Sequence, residues 1–136
     1  MADDVLVNKA AIIERCLKRI DEEYKGHERE LSSNFSRQDA IILNLLRACE
    51  ASIDAAMHIV RQRRLGLPQE SRDAFSLLED AGLLTKELSV EMQKMVGFRN
   101  VAIHDYRKLN LEILRSILDG RLGDFREYVR AVLSLA

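Results

Sequence analysis

The chain has no tryptophan, one proline, two cysteines and six glycines among its 136 residues. So few breakers leave room for long uninterrupted helices. The supply of Leu, Ala, Glu, Arg and Lys agrees with that expectation. Cys16 and Cys49 stand alone among apolar residues, in no CxxC or Cys/His spacing. That excludes a disulfide framework and a zinc motif, and both thiols read as small core hydrophobes. A formal net charge of -1 removes bulk electrostatic attraction to nucleic acid. Any such contact must use a local patch. No apolar run reaches the length of a membrane span, and the N-terminal stretch MADDVLVNKAAIIERC has acids early and no signal-peptide pattern. A cytoplasmic location is expected, with no membrane contact.

What is present is amphipathic. Apolar residues are 47% of the chain, enough for one domain over residues 1–136 with its own core. Val5, Ile12, Ile13, Cys16, Leu17, Ile20 and Tyr24 recur at helical spacing and predict a first helix over 4–30. LSSNF, 31–35, reads as a loop, and Ser36 with Asp39 as the cap of a helix over 37–64. That helix carries Ala48, Ala51, Ala55 and Ala56, which permit close approach of a neighbour. LGLPQES, 65–71, is the clearest break. Ser71 is expected to cap a short helix ending near Gly82, and a second short helix to run from Thr85. A last helix from Asn110 runs almost to the end, with a kink expected at Gly120 and Gly123. The expected fold is all-α, an antiparallel bundle of about five helices.

One polar cluster stands out. Residues 99–106, RNVAIHDY, bring Arg99, Asn100, His104 and Tyr106 into eight positions of a chain with three histidines. Each helical residue advances about 100°, so Asn100 and His104 share a face, while Arg99 and His104 lie about 140° apart. A straight helix does not unite all four. Either the helix loosens after His104, or a second subunit completes the cluster. The groups suit metal-free cleavage of RNA. Histidine moves protons near neutral pH, arginine forks onto phosphate, and asparagine can orient the imidazole or donate to an anion. A solvated helix end is the competing reading, and the residues alone leave both open.

Arg99, four residues, His104, one residue and Tyr106 make an R-x4-H-x-Y pattern. That pattern resembles HEPN-domain proteins, and more narrowly the HepT toxin branch of MNT–HEPN toxin–antitoxin systems. The polar Asn100 after the arginine, the stretch RACEASIDAAMHIV, the LGLP break and FSLLEDAGLL resemble the middle of the same family. The resemblance implies a two-fold symmetric homodimer with both motifs facing one cleft. It implies a metal-independent endoribonuclease, with Arg99 and His104 catalytic and no cofactor. It also implies a cognate partner, a minimal nucleotidyltransferase antitoxin that transfers AMP onto Tyr106. A non-catalytic helical binding module serving a nucleotidyltransferase is the alternative.

Other residues rank below the motif. Glu50, Asp54 and His58 follow one another at four-residue steps and could line one polar stripe supporting the site. The stripe lacks the Glu-x-x-His pair of di-iron bundles, so no metal is expected. RQRRL, 61–65, is the densest basic run, either a solvated helix end or a contact for RNA or an acidic partner. His27 reads as an exposed helix-end residue, and Met92 and Met95 as core packing near the motif.

Overall fold

The computed structural model describes residues 2–136. Six α-helices follow in order: α1 Asp4–Tyr24, α2 Phe35–Arg63, α3 Ser71–Asp80, α4 Lys86–His104, α5 Leu111–Gly120 and α6 Leu122–Leu135. Single 3-10 turns lie at Glu28–Glu30 and Tyr106–Lys108. There is no strand among the described residues.

α1 and α2 form the central antiparallel pair. Cross-links from Asp3 to His58, Lys9 to Asp54 and Glu23 to Arg37 run in opposite chain directions. Leu6, Ala10, Ile13, Leu17, Ile20 and Tyr24 are the buried stripe of α1, set three and four residues apart. Val5, expected in that stripe, is exposed. The helix also stops at Tyr24 rather than residue 30. Gly26 takes φ +81°, a left-handed conformation that ends the helical run at little steric cost. The chain then makes its 3-10 turn and buries Leu31 completely.

α2 begins at Phe35 because Asn34, not Ser36, caps it; the Asn34 side chain accepts the Arg37 N–H at 3.1 Å. Ala48, Ala51, Ala55 and Ala56 are all buried, the close-packed face expected of them. α3 starts on an acid rather than on Ser71. The Asp73 carboxylate accepts the N–H groups of Gln69 and Glu70, at 2.8 and 3.2 Å. α4 and α5 start where the sequence predicts, and Thr85 and Asn110 cap them. The expected kink near Gly120 is a full break at Arg121, so one long helix becomes α5 and α6. Glycine's low helix propensity at 120 and 123 makes the interruption inexpensive.

Behind α2, Phe75 of α3 and Tyr128 of α6 meet edge to face at 5.7 Å between ring centroids. Tyr128 is fully buried, and its hydroxyl donates to the Ser52 carbonyl at 2.8 Å. Both cysteines are free and buried, and burial pushes the Cys49 thiol up to about 12, which makes it inert. Met92 and Met95 are core residues of α4. The packing sets α4 antiparallel to α2: Glu50 reaches Arg99, and Asp39, eleven residues earlier on α2, meets Tyr106 just past the end of α4.

Candidate functional site

Arg99 sits in the last turns of α4, half-buried against α2. Its Nε donates to Glu50 Oε1, and its Nη1 donates to Asn100 Oδ1 at 2.8 Å. A guanidinium has five N–H donors in a rigid fork, so the remaining donors stay available to an anion. Glu50 and Asn100 thus aim the arginine. A guanidinium only donates, so Asn100 must present its oxygen there. Its Oδ1 is thus committed to Arg99, while its Nδ2 keeps two donors for an anion, one of the roles expected from sequence.

His104 is the last residue of α4 and is exposed. The helix ends there because Asp105 turns to φ -152°, ψ 76°, its N–H still bonded to the Val101 carbonyl at 2.9 Å. The His104 ring has no hydrogen-bond partner among the described residues, so both nitrogens stand open to an incoming group.

The 3-10 turn after the break swings Tyr106 toward the first turns of α2. Its hydroxyl donates to Asp39 Oδ1 at 2.8 Å. The ring is 45% exposed. Partial burial, then the Asp39 carboxylate, push its phenol up to about 12. Of the two geometries the sequence allowed, the helix does loosen after His104, and Tyr106 leaves the helical face of Arg99.

Glu50 is thus brought to the motif, and Asp54 is not. One turn further along α2, Asp54 faces α1 and pairs with Lys9 at 3.2 Å. His58 pairs with Asp3 at 2.8 Å. The expected stripe separates into three pairs, because α2 is wedged between α1 and α4 and successive turns meet different neighbours. Among the described residues no group of three or more His, Cys, Asp or Glu could hold a metal ion. RQRRL ends α2 at the far side of the molecule: Arg63 lies about 36 Å from Asp39 by helical rise. His27, expected to be exposed, is only partly so and is tied to Glu30 at 2.9 Å.

Asp39 is the residue sequence reasoning missed, having been read as part of a capping signal. A usable signal existed. Asp39 and Glu50 are eleven positions apart, about three turns, so they share one face of α2. With Glu50 on Arg99 and the helices antiparallel, that face meets the chain just beyond His104.

The cluster lies on an open face. A hollow of about 450 Å³ between α4 and α5, lined by Phe98, Val101, Leu109 and Ile113 among others, includes none of the four motif side chains. A half-buried arginine with free donors, near an exposed histidine and tyrosine at a helix end, suits a macromolecule better than an enclosed small ligand.

Fold and motif together define the class, an all-helical HEPN-type domain with R-x4-H-x-Y at the end of its fourth helix. The chain belongs to the ribonuclease HepT-like family, whose model matches residues 13–132. It is 47% identical over 130 residues to the mRNA nuclease HepT of Shewanella oneidensis, covering 96% of this chain and 97% of that one. Among solved structures, it is similar to a tri-AMPylated Shewanella oneidensis HEPN toxin in complex with MNT antitoxin. The TM-score there is 0.92 at 45% identity, over 97% of this chain and 98% of that one. A toxin–antitoxin complex with AMP-PNP gives 0.90 at 45% identity, over 96% and 98%. Among the described residues no helix is long and apolar enough to cross a membrane.

Proposed function

We propose that this chain is the toxin of a toxin–antitoxin pair, a metal-independent endoribonuclease silenced by AMP transfer to Tyr106. The observation that carries this reading is the held guanidinium of Arg99, braced by Glu50 and Asn100, one turn before an open His104. Membership in the ribonuclease family and the likeness to an mRNA nuclease support the activity and an RNA substrate. The AMPylated relative bound to its antitoxin supports a nucleotidyltransferase as the partner.

The chemistry follows from the groups. A ribose 2′-hydroxyl loses its proton and attacks the adjacent phosphorus. The bond to the 5′-oxygen breaks, and that oxygen takes up a proton. Arg99 offers its free N–H groups to the oxygens that gain charge in the phosphorane. His104 serves as one of the two proton-transfer groups. One imidazole cannot be base and acid in a single concerted step. Two copies of the motif about a two-fold axis supply both. Ile103, half exposed beside His104, is apolar surface suited to such a contact. Residues 1–136 act as a single domain in this reading, in the cytoplasm where RNA and ATP are found.

AMP on Tyr106 silences the site by bulk and charge. A phosphodiester anion placed next to the Arg99–His104 face competes for the guanidinium and repels an RNA phosphate. The test is growth of a bacterial host on inducing the chain alone, beside the His104→Ala variant, with intact mass read on both. Arrest by the wild type alone establishes a toxic activity that needs the imidazole. Equal growth with no mass added on Tyr106 returns the chain to the binding-module reading.

A further inference from the structure

Tyr106 is a poor nucleophile as it stands. Its phenol is held neutral, so attack on a phosphorus requires a group that takes its proton as the new bond forms. Its titratable and charged neighbours are His104, Asp105, Arg107 and Lys108 along its own segment, and Asp39 across from α2. Asp105 is paired with Lys108 at 3.5 Å. Arg107 and Lys108 are cations and accept no hydrogen bond. The side chain that accepts the Tyr106 O–H is Asp39, at 2.8 Å, and it is itself exposed at the edge of the motif face.

Building on the AMP-transfer reading, we propose that Asp39 is the general base for adenylylation of Tyr106, so the toxin supplies part of the machinery for its own silencing. The co-reactant is the nucleoside triphosphate ATP, held by the nucleotidyltransferase. The Tyr106 oxygen forms a bond to the α-phosphorus, and the bond from that phosphorus to the bridging oxygen of pyrophosphate breaks. The phenolic proton passes to Asp39, and pyrophosphate leaves with the electron pair. The existing 2.8 Å contact already lies within proton-transfer reach. Once Tyr106 is esterified it has no proton to donate, and the hydrogen bond to Asp39 is lost. The Asp39 carboxylate then faces a phosphodiester anion, which favours turning the adenylate away from α2.

The experiment follows AMP incorporation by intact mass, using purified unmodified toxin, its nucleotidyltransferase partner and Mg-ATP. Asp39→Asn keeps an acceptor oxygen in place and removes the base. Its initial rate should fall about 100-fold, with KM for ATP unchanged. The residual rate should climb steeply with pH, as the phenol then loses its proton to solvent, while the wild-type rate does not. Asp39→Glu should recover part of the loss. Asp39→Asn should still cleave RNA, which shows that it is folded. Modification of Asp39→Asn at the wild-type rate overturns the proposal. So does a slowed rate whose pH profile matches the wild type, because the loss would then be positional. Wild-type toxin that gains no adenylate on Tyr106 sinks the AMP-transfer reading instead, and peptide mapping of the product separates the two failures.

Discussion

Tyr24 and Tyr106 make the same bond. Each phenol donates to an aspartate, Tyr24 to Asp119 at 2.6 Å and Tyr106 to Asp39 at 2.8 Å. Each is pushed up to about 12, by burial first and the carboxylate second. Tyr24 is 5% exposed and ties the end of α1 to the end of α5, whereas Tyr106 is 45% exposed on a 3-10 turn beside the motif. A tyrosine–aspartate pair is therefore not a functional mark in itself. Buried, it is a fastener between helices; exposed on a turn just past His104, it is the pair to which we assign a nucleophile and its base.

Exchanging residues across this pair tests the contrast, beginning with the complete losses. Tyr106→Phe should accept no adenylate from the nucleotidyltransferase, whereas Tyr24→Phe should accept it at the wild-type rate; intact mass reads both. Arg99→Ala should lower RNA cleavage by about 100-fold or more in a gel assay, with a melting temperature near that of the wild type. Tyr128→Ala does the opposite at the buried end. It should cost about 3–5 kcal/mol in denaturant unfolding, by emptying the space against Phe75 and deleting the bond to Ser52. Tyr24→Phe should cost about 1 kcal/mol, the worth of a single hydrogen bond.

The smallest effects are in titration. The folded state holds the Tyr24 proton more tightly than the unfolded chain, whose phenol titrates near about 10. The resulting stability is complete below about pH 10 and is lost as pH rises through about 12. The stability gap between wild type and Tyr24→Phe should narrow over that window. Asp39→Asn should move one tyrosinate transition in an absorbance titration from about 12 toward about 10, and Asp119→Asn a different one.

Much of the architecture is legible in local signals. The starts of α4 and α5 are read near Thr85 and Asn110, whose side chains bond to N–H groups two or three residues on, a range that sequence spans. Ser36 and Ser71 mislead because a better acceptor competes nearby, Asn34 in one case and Asp73 in the other. The break at Arg121 is legible as two glycines but not as a full interruption, since its depth depends on how α6 settles against α1 and α4. In the site, Arg99, His104 and Tyr106 are visible as a motif. Glu50 is visible as an acid on the α2 face, while Asp54, on the same apparent stripe, is not separable from it by spacing.

Periodicity, chain breaks and the R-x4-H-x-Y pattern by themselves determined an all-helical bundle and its family, and singled out Arg99, His104 and Tyr106 as the side chains to test. These depend on residues close in the chain, where helical geometry relates position to direction. Which acid serves which partner was decided only by tertiary structure. Glu50 reaches Arg99 across 49 residues, and Asp39 reaches Tyr106 across 67. Those contacts depend on the register of α2 against α4 and on where α4 ends, and both are set by packing of the whole core.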